Sequence, residues 1–108
     1  MLNSCLVSER IAEYRRKVLE RPGDTLARYV LAKEYHDRGQ HAEAAEEFRE
    51  LVRQKPDWMK AWIHLGQDLQ ALGRTDEARA TYETALRLAQ EQHHEGPEAE
   101  LRLTLSTL

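Results

Sequence analysis

The chain has 108 residues, of which 41% are hydrophobic and 32% charged, and its formal net charge is −3 at pH 7. That suits one small globular domain, and the absence of a basic field argues against nucleic acid as a ligand. One cysteine, Cys5, leaves no internal disulfide and no thiolate cluster for zinc, and no apolar run reaches membrane-spanning length.

The stretch Met1 to Val7 lacks a basic n-region and is too short for a signal-peptide core, so a cytoplasmic location is the expectation. Residues 4–20 place Val7, Ile11, Tyr14 and Val18 on one helical stripe that stops at Pro22-Gly23. The basic patch Arg15-Arg16-Lys17 interleaves with Glu9, Glu13 and Glu20 at helical spacing, which describes a solvated face rather than a polyanion site. Helices are predicted next at 25–37 and 41–54, opened by Asp24, and at 58–71 and 75–90, with Asp57 and Thr75 as N-caps. Gly39 and Gly73 fall where one helix stops and the next begins, the place for a left-handed residue. In the tail, Gly96-Pro97-Glu98 reads as a helix start with Leu101, Leu105 and Leu108 on one stripe. Leu101, Leu103 and Leu105 also alternate as in a strand, but a lone strand has no sheet to join.

An offset of 34 residues maps Ala27 onto Ala61, Leu31 onto Leu65, Gly39 onto Gly73, Ala44 onto Ala78, Phe48 onto Tyr82 and Arg53 onto Arg87. Such a period signals stacked helix pairs, none of which buries its apolar face alone. The second copy, Trp62-x2-Leu65-Gly66-x2-Leu69 followed by Ala78-x3-Tyr82, resembles the tetratricopeptide (TPR) repeat. The first copy has Arg28 in the tryptophan position, then Leu31-Ala32-x2-Tyr35, Ala44-x3-Phe48 and Pro56; the second has Gln90 where the closing proline falls. The resemblance implies an all-α, right-handed TPR-like solenoid of antiparallel helix pairs: an N-terminal capping helix at 4–22, repeats at 25–57 and 58–90, and a C-terminal capping helix at 97–108. Pro22 lies one period before Pro56, so the first segment resembles the second helix of a preceding repeat.

Few residues suggest chemistry. His36 and His41 straddle the Gly39 turn and His93 and His94 are adjacent, so neither pair is expected to converge on a metal ion, and no cofactor is implied. Glu43, Glu46, Glu47 and Glu50 describe the outer face of an amphipathic helix rather than a catalytic cluster. No nucleophile elbow or phosphate loop is present, and an enzyme is not expected. Trp62 is expected in the packing between paired helices, and Trp58 against the preceding helix.

In proteins of the TPR family the first helix of each pair lines a concave groove. Carried onto this chain, the lining is Leu26, Tyr29, Val30, Lys33, His36 and Asp37, then Lys60, Ile63, His64, Gln67, Gln70 and Ala71. Tyr29, Lys33, His36, Lys60, Ile63, His64 and Gln67 are the candidate peptide-binding residues, with Lys33 and Lys60 favouring an acidic or C-terminal segment and His36 and His64 adding positive charge on mild acidification. Family members that clamp chaperone tails use asparagines where Val30 and His64 stand here, which argues against that ligand although Lys60 matches a basic clamp position. The alternative is a homo-oligomer, such as a dimer, paired through the terminal helices.

Overall fold

A computed structural model describes residues 2–108, with side chains from Glu9 onward, so Cys5 and Val7 lie outside the described side chains. Among the described residues six helices and no strand are found. They are α1 (Leu2–Glu20), α2 (Thr25–Asp37), α3 (His41–Gln54), α4 (Met59–Ala71), α5 (Thr75–Glu91) and α6 (Glu95–Thr107). Links of three or four residues fold each helix back on its predecessor, and α2 also reaches α4, so α2 and α4 form one layer and α3 and α5 the other.

Why the helices stop is visible at three turns. Gly39 and Gly73 adopt φ of 76° and 77°. Each turn is closed by two backbone bonds: Gly39 N–H to His36 O (3.0 Å) with Gln40 N–H to Tyr35 O (2.9 Å), then Gly73 N–H to Gln70 O (3.0 Å) with Arg74 N–H to Leu69 O (2.9 Å). After α5 the same closure recurs without a glycine, because His93 takes φ of 59° and His94 N–H reaches Ala89 O at 2.8 Å. The residue after each left-handed position finishes one helix and starts the next, which displaces a predicted cap. Arg74 occupies the N-cap position of α5 and Thr75 is already helical. Trp58 rather than Asp57 precedes α4, and neither Arg74 nor Trp58 makes a side-chain cap bond. Asp24 does cap, its Oδ1 accepting from Ala27 N–H at 3.0 Å.

The core runs through both repeats, with Leu31, Leu65 and Leu101 each 3% exposed. Leu101 belongs to α6, which is helical as the Gly-Pro-Glu start implies, while Leu105 and Leu108 lean on the core. Ala44, Ala61, Ala78 and Ala85 are completely buried, so backbones approach closely there. At Gly66 the approach is closer still: an added Cβ would lie 2.6 Å from Tyr82 Cε1. Repeat one has Ala32 at this register and the smaller Phe48 at that of Tyr82, both completely buried.

Arg28 explains how the first repeat does without its tryptophan. Trp62 Nε1–H donates to Pro56 O at 2.8 Å, and one period earlier Arg28 Nη2 donates to Pro22 O at 3.1 Å. Both side chains tie the start of an inner helix to the proline carbonyl before it. Trp62 itself is half-buried, more exposed than its packing role implied. Arg28, 8% exposed, also donates from Nη1 to Glu47 Oε1 at 3.0 Å. Glu47 is therefore not on the solvated outer face with Glu43 and Glu46 but turned inward, and burial raises its pKa against the opposing pull of Arg28.

Two outcomes follow for stability. Replacing His93 with glycine removes the left-handed penalty, so His93→Gly is expected to gain about 1 kcal/mol in a urea melt at unchanged slope; an unchanged or lower midpoint contradicts the strained turn. Arg28→Ala strands a buried carboxylate and is expected to cost about 3 kcal/mol at pH 7. Because Glu47 takes up a proton in the folded state more readily than in the unfolded chain, acidification through the carboxylate range discharges it and the loss should shrink. A loss that stays constant with pH would assign the cost to packing alone.

Candidate functional site

The α2–α4 layer carries the side chains that the groove reading singled out. Tyr29 projects from α2 and stacks on Trp58, with ring centroids 4.7 Å apart and planes 14° from parallel, and meets Phe48 edge-on at 6.2 Å. Its hydroxyl lies 3.3 Å from His64 Nε2, while His64 Nδ1 lies 3.2 Å from Gln67 Oε1. The amide oxygen only accepts, so Nδ1 carries the proton and Nε2 accepts from the Tyr29 hydroxyl. That is neutral imidazole. Burial lowers the His64 pKa, which agrees with this tautomer and puts its charging further into the acid range than an open imidazole. Burial also raises the Tyr29 pKa, keeping the hydroxyl a donor.

His36 lies beside His64, 4.9 Å between ring centroids, and turns its Nδ1 the other way, to 2.7 Å from Asp68 Oδ1. His41 Nδ1 comes to 2.6 Å from that same oxygen. The expectation that His36 and His41 stay apart is thus overturned. The Gly39 turn reverses the chain, so the last turn of α2 and the first residue of α3 face one point, and α4 delivers Asp68 to it.

The lysines part company. Lys33 Nζ is 2.7 Å from Asp37 Oδ1 on its own helix, and that bond raises its pKa. Lys60 is exposed and lines a cavity of about 360 Å³ with Lys55, Asp57, Trp58, His94 and Pro97, where Lys55 Nζ sits 5.2 Å over the Trp58 ring. Ile63 and Gln67 face Tyr82 and the α6 residues Pro97, Glu100, Leu101 and Thr104 around a smaller cavity of about 70 Å³. So Tyr29, His36, His64 and Gln67 form one connected group, Ile63 looks toward α6, and Lys33 and Lys60 occupy different surroundings.

A tetratricopeptide repeat family model matches residues 7–89. This chain belongs to the tetratricopeptide repeat family. It is 33% identical over 85 residues to a TPR repeat-containing protein of Pseudomonas aeruginosa, spanning 79% of this chain and 81% of that one. The crystal structure of a tetratricopeptide repeat domain protein from Salinibacter ruber is similar at TM-score 0.70 and 32% identity, covering 78% of this chain and 93% of that one. A solution structure of a protein from Bordetella parapertussis is similar at TM-score 0.76 and 26% identity, covering 90% and 84%. The TPR fold is that of a protein-interaction or scaffold module, and the family consists in general of binding modules rather than enzymes. Among the described residues no helix is long and apolar enough to cross a membrane.

Within the TPR frame Asp68 is the side chain that sequence reasoning passes over, while His41 is set aside there as a ligand and Trp58 assigned to packing. A signal for Asp68 existed. Glu34 lies one period before it, and both acids point back at the preceding helices: Glu34 Oε1 is 3.0 Å from Arg10 Nε of α1, as Asp68 is bonded to His41 of α3. An acid repeated at one register next to buried leucines implies a partner on the neighbouring helix.

Proposed function

We propose that this TPR domain binds a short acidic or C-terminal segment of a partner protein on its concave side, next to Trp58 and Lys60. The observation that carries the reading is Trp58, backed by the stacked ring of Tyr29 and lining a cavity of about 360 Å³ together with Lys55 and Lys60. Rigid aromatic rings supply contact area at low entropic cost, and two ammonium groups beside them favour a carboxylate. Ile63, turned toward α6, adds apolar surface farther along α4, and His36, His64 and Gln67 offer polar edges. Lys33 contributes less than Lys60 because Asp37 already neutralises it. Mild acidification is a weaker lever here than free imidazoles suggest, since burial keeps His64 neutral.

A second reading has its own observation. Leu19 on α1 is 80% exposed and Leu103 on α6 is 68% exposed, which suits pairing of two copies through the end helices. A concentration-independent dimer in light scattering that Leu19→Lys or Leu103→Lys turns into a monomer favours this reading over the first.

Fluorescence anisotropy against a library of labelled acidic C-terminal peptides tests the groove directly. Binding is expected to weaken as salt rises, and Lys60→Glu to reduce affinity at least about tenfold, more than Lys33→Glu does. A library without a binder counts against the proposal. So does an affinity that survives Lys33→Glu/Lys60→Glu but is abolished by Glu43→Lys or Glu46→Lys, which would move the site to the outer face.

A further inference from the structure

We propose that His36, His41 and Asp68 form a binding site for a divalent transition cation of zinc-like character. Their ligand atoms, two imidazole Nδ1 and a carboxylate oxygen, lie within 4.8 Å of one another. They come from α2, α3 and α4, so one ion there ties both repeats together.

Asp68 supplies the second, independent observation. Its carboxylate is completely buried, Oδ1 faces both histidines, and Oδ2 has no hydrogen-bond partner among the described residues. A buried carboxylate is normally matched by a cation or fully hydrogen-bonded, and two imidazoles crowded on one oxygen do neither for the other. A divalent ion supplies the missing positive charge, bound through one carboxylate oxygen and the two imidazoles. Two nitrogen donors with one oxygen select zinc and its first-row neighbours over magnesium or calcium, which prefer all-oxygen shells. His36 and His41 are only half-buried, so the ion would reach the cluster from their side, with water as its fourth ligand.

The present separations, 2.7 and 2.6 Å, are hydrogen-bond lengths. Metal–nitrogen bonds of about 2.0–2.1 Å in a tetrahedral shell set neighbouring ligand atoms about 3.3 Å apart, so each imidazole swings outward by about 0.7 Å on loading. His41, the first residue of α3 and partly exposed, is placed to make that swing.

The test is zinc chloride titrated calorimetrically into untagged, chelator-treated full-length protein, with thermal melts and imidazole NMR signals followed alongside. One ion per chain is expected, with a melting temperature that climbs with zinc concentration and ring signals of His36 and His41 that shift. His41→Gln, its fold checked by circular dichroism, should bind at least about tenfold more weakly, and Asp68→Asn likewise. His93→Gln/His94→Gln should leave affinity unchanged. The proposal is overturned by the absence of saturable 1:1 binding, by His41→Gln binding like the parent, or by an affinity that resides in His93 and His94; in each case the cluster is a hydrogen-bonded clamp.

Discussion

The structure depends on how closely antiparallel helices come together. Ala44, Ala61, Ala78 and Ala85 are fully buried because larger side chains at those points would hold the backbones apart. Gly66 is the extreme case, with the Tyr82 ring filling the space a methyl group would need. Tyr82 is anchored at its far end too, its hydroxyl donating to Gln70 Oε1 at 2.9 Å. Leu31, Leu65 and Leu101 then fill the gaps between the layers. With spacing set this way, corresponding positions in the two repeats meet corresponding neighbours, and the repeats are told apart by the residues that differ.

Those differences account for what could and could not be read from sequence. Apolar periodicity and the shared 34-residue offset located the helices, and Gly39 and Gly73 marked their turns because only a left-handed residue fits there. His93 makes the same turn with an ordinary side chain, a strained solution that no residue-type rule announces. Arg28 looked like a lost tryptophan, yet it keeps the one bond that matters there, a donor to the preceding proline carbonyl, and adds an ion pair that pulls Glu47 inward. Spacing along a helix cannot reveal such substitutions, because each depends on a partner 6 to 19 residues away.

The candidate site shows the same limit. Tyr29, His36, His64 and Gln67 were legible because the repeat register places them on the inner layer. The meeting of His36 with His41 was not, because distance across a turn depends on how α2 and α3 reverse, and Asp68 becomes relevant only when α4 packs on α3. Charge was misleading in a similar way. Lys33 and Lys60 look equivalent in sequence, but Asp37 lies within one turn of Lys33, while Lys60 opens onto the Trp58 cavity. The inner layer is thus uneven, with lysines and Trp58 around a cavity at its α6 end and a buried aspartate held by two histidines beside the Gly39 turn.

If close approach at Gly66 sets the spacing of the inner layer, the most direct measurement is the stability of Gly66→Ala in a denaturant melt. An exposed helical glycine gains about 1 kcal/mol on this change through helix propensity. Here the added methyl collides with a buried ring that is bonded at its tip, so a net loss of about 1 to 3 kcal/mol is expected. A stability gain near the propensity value would mean that the helices have room to spare, and would contradict the account of how this repeat is held together.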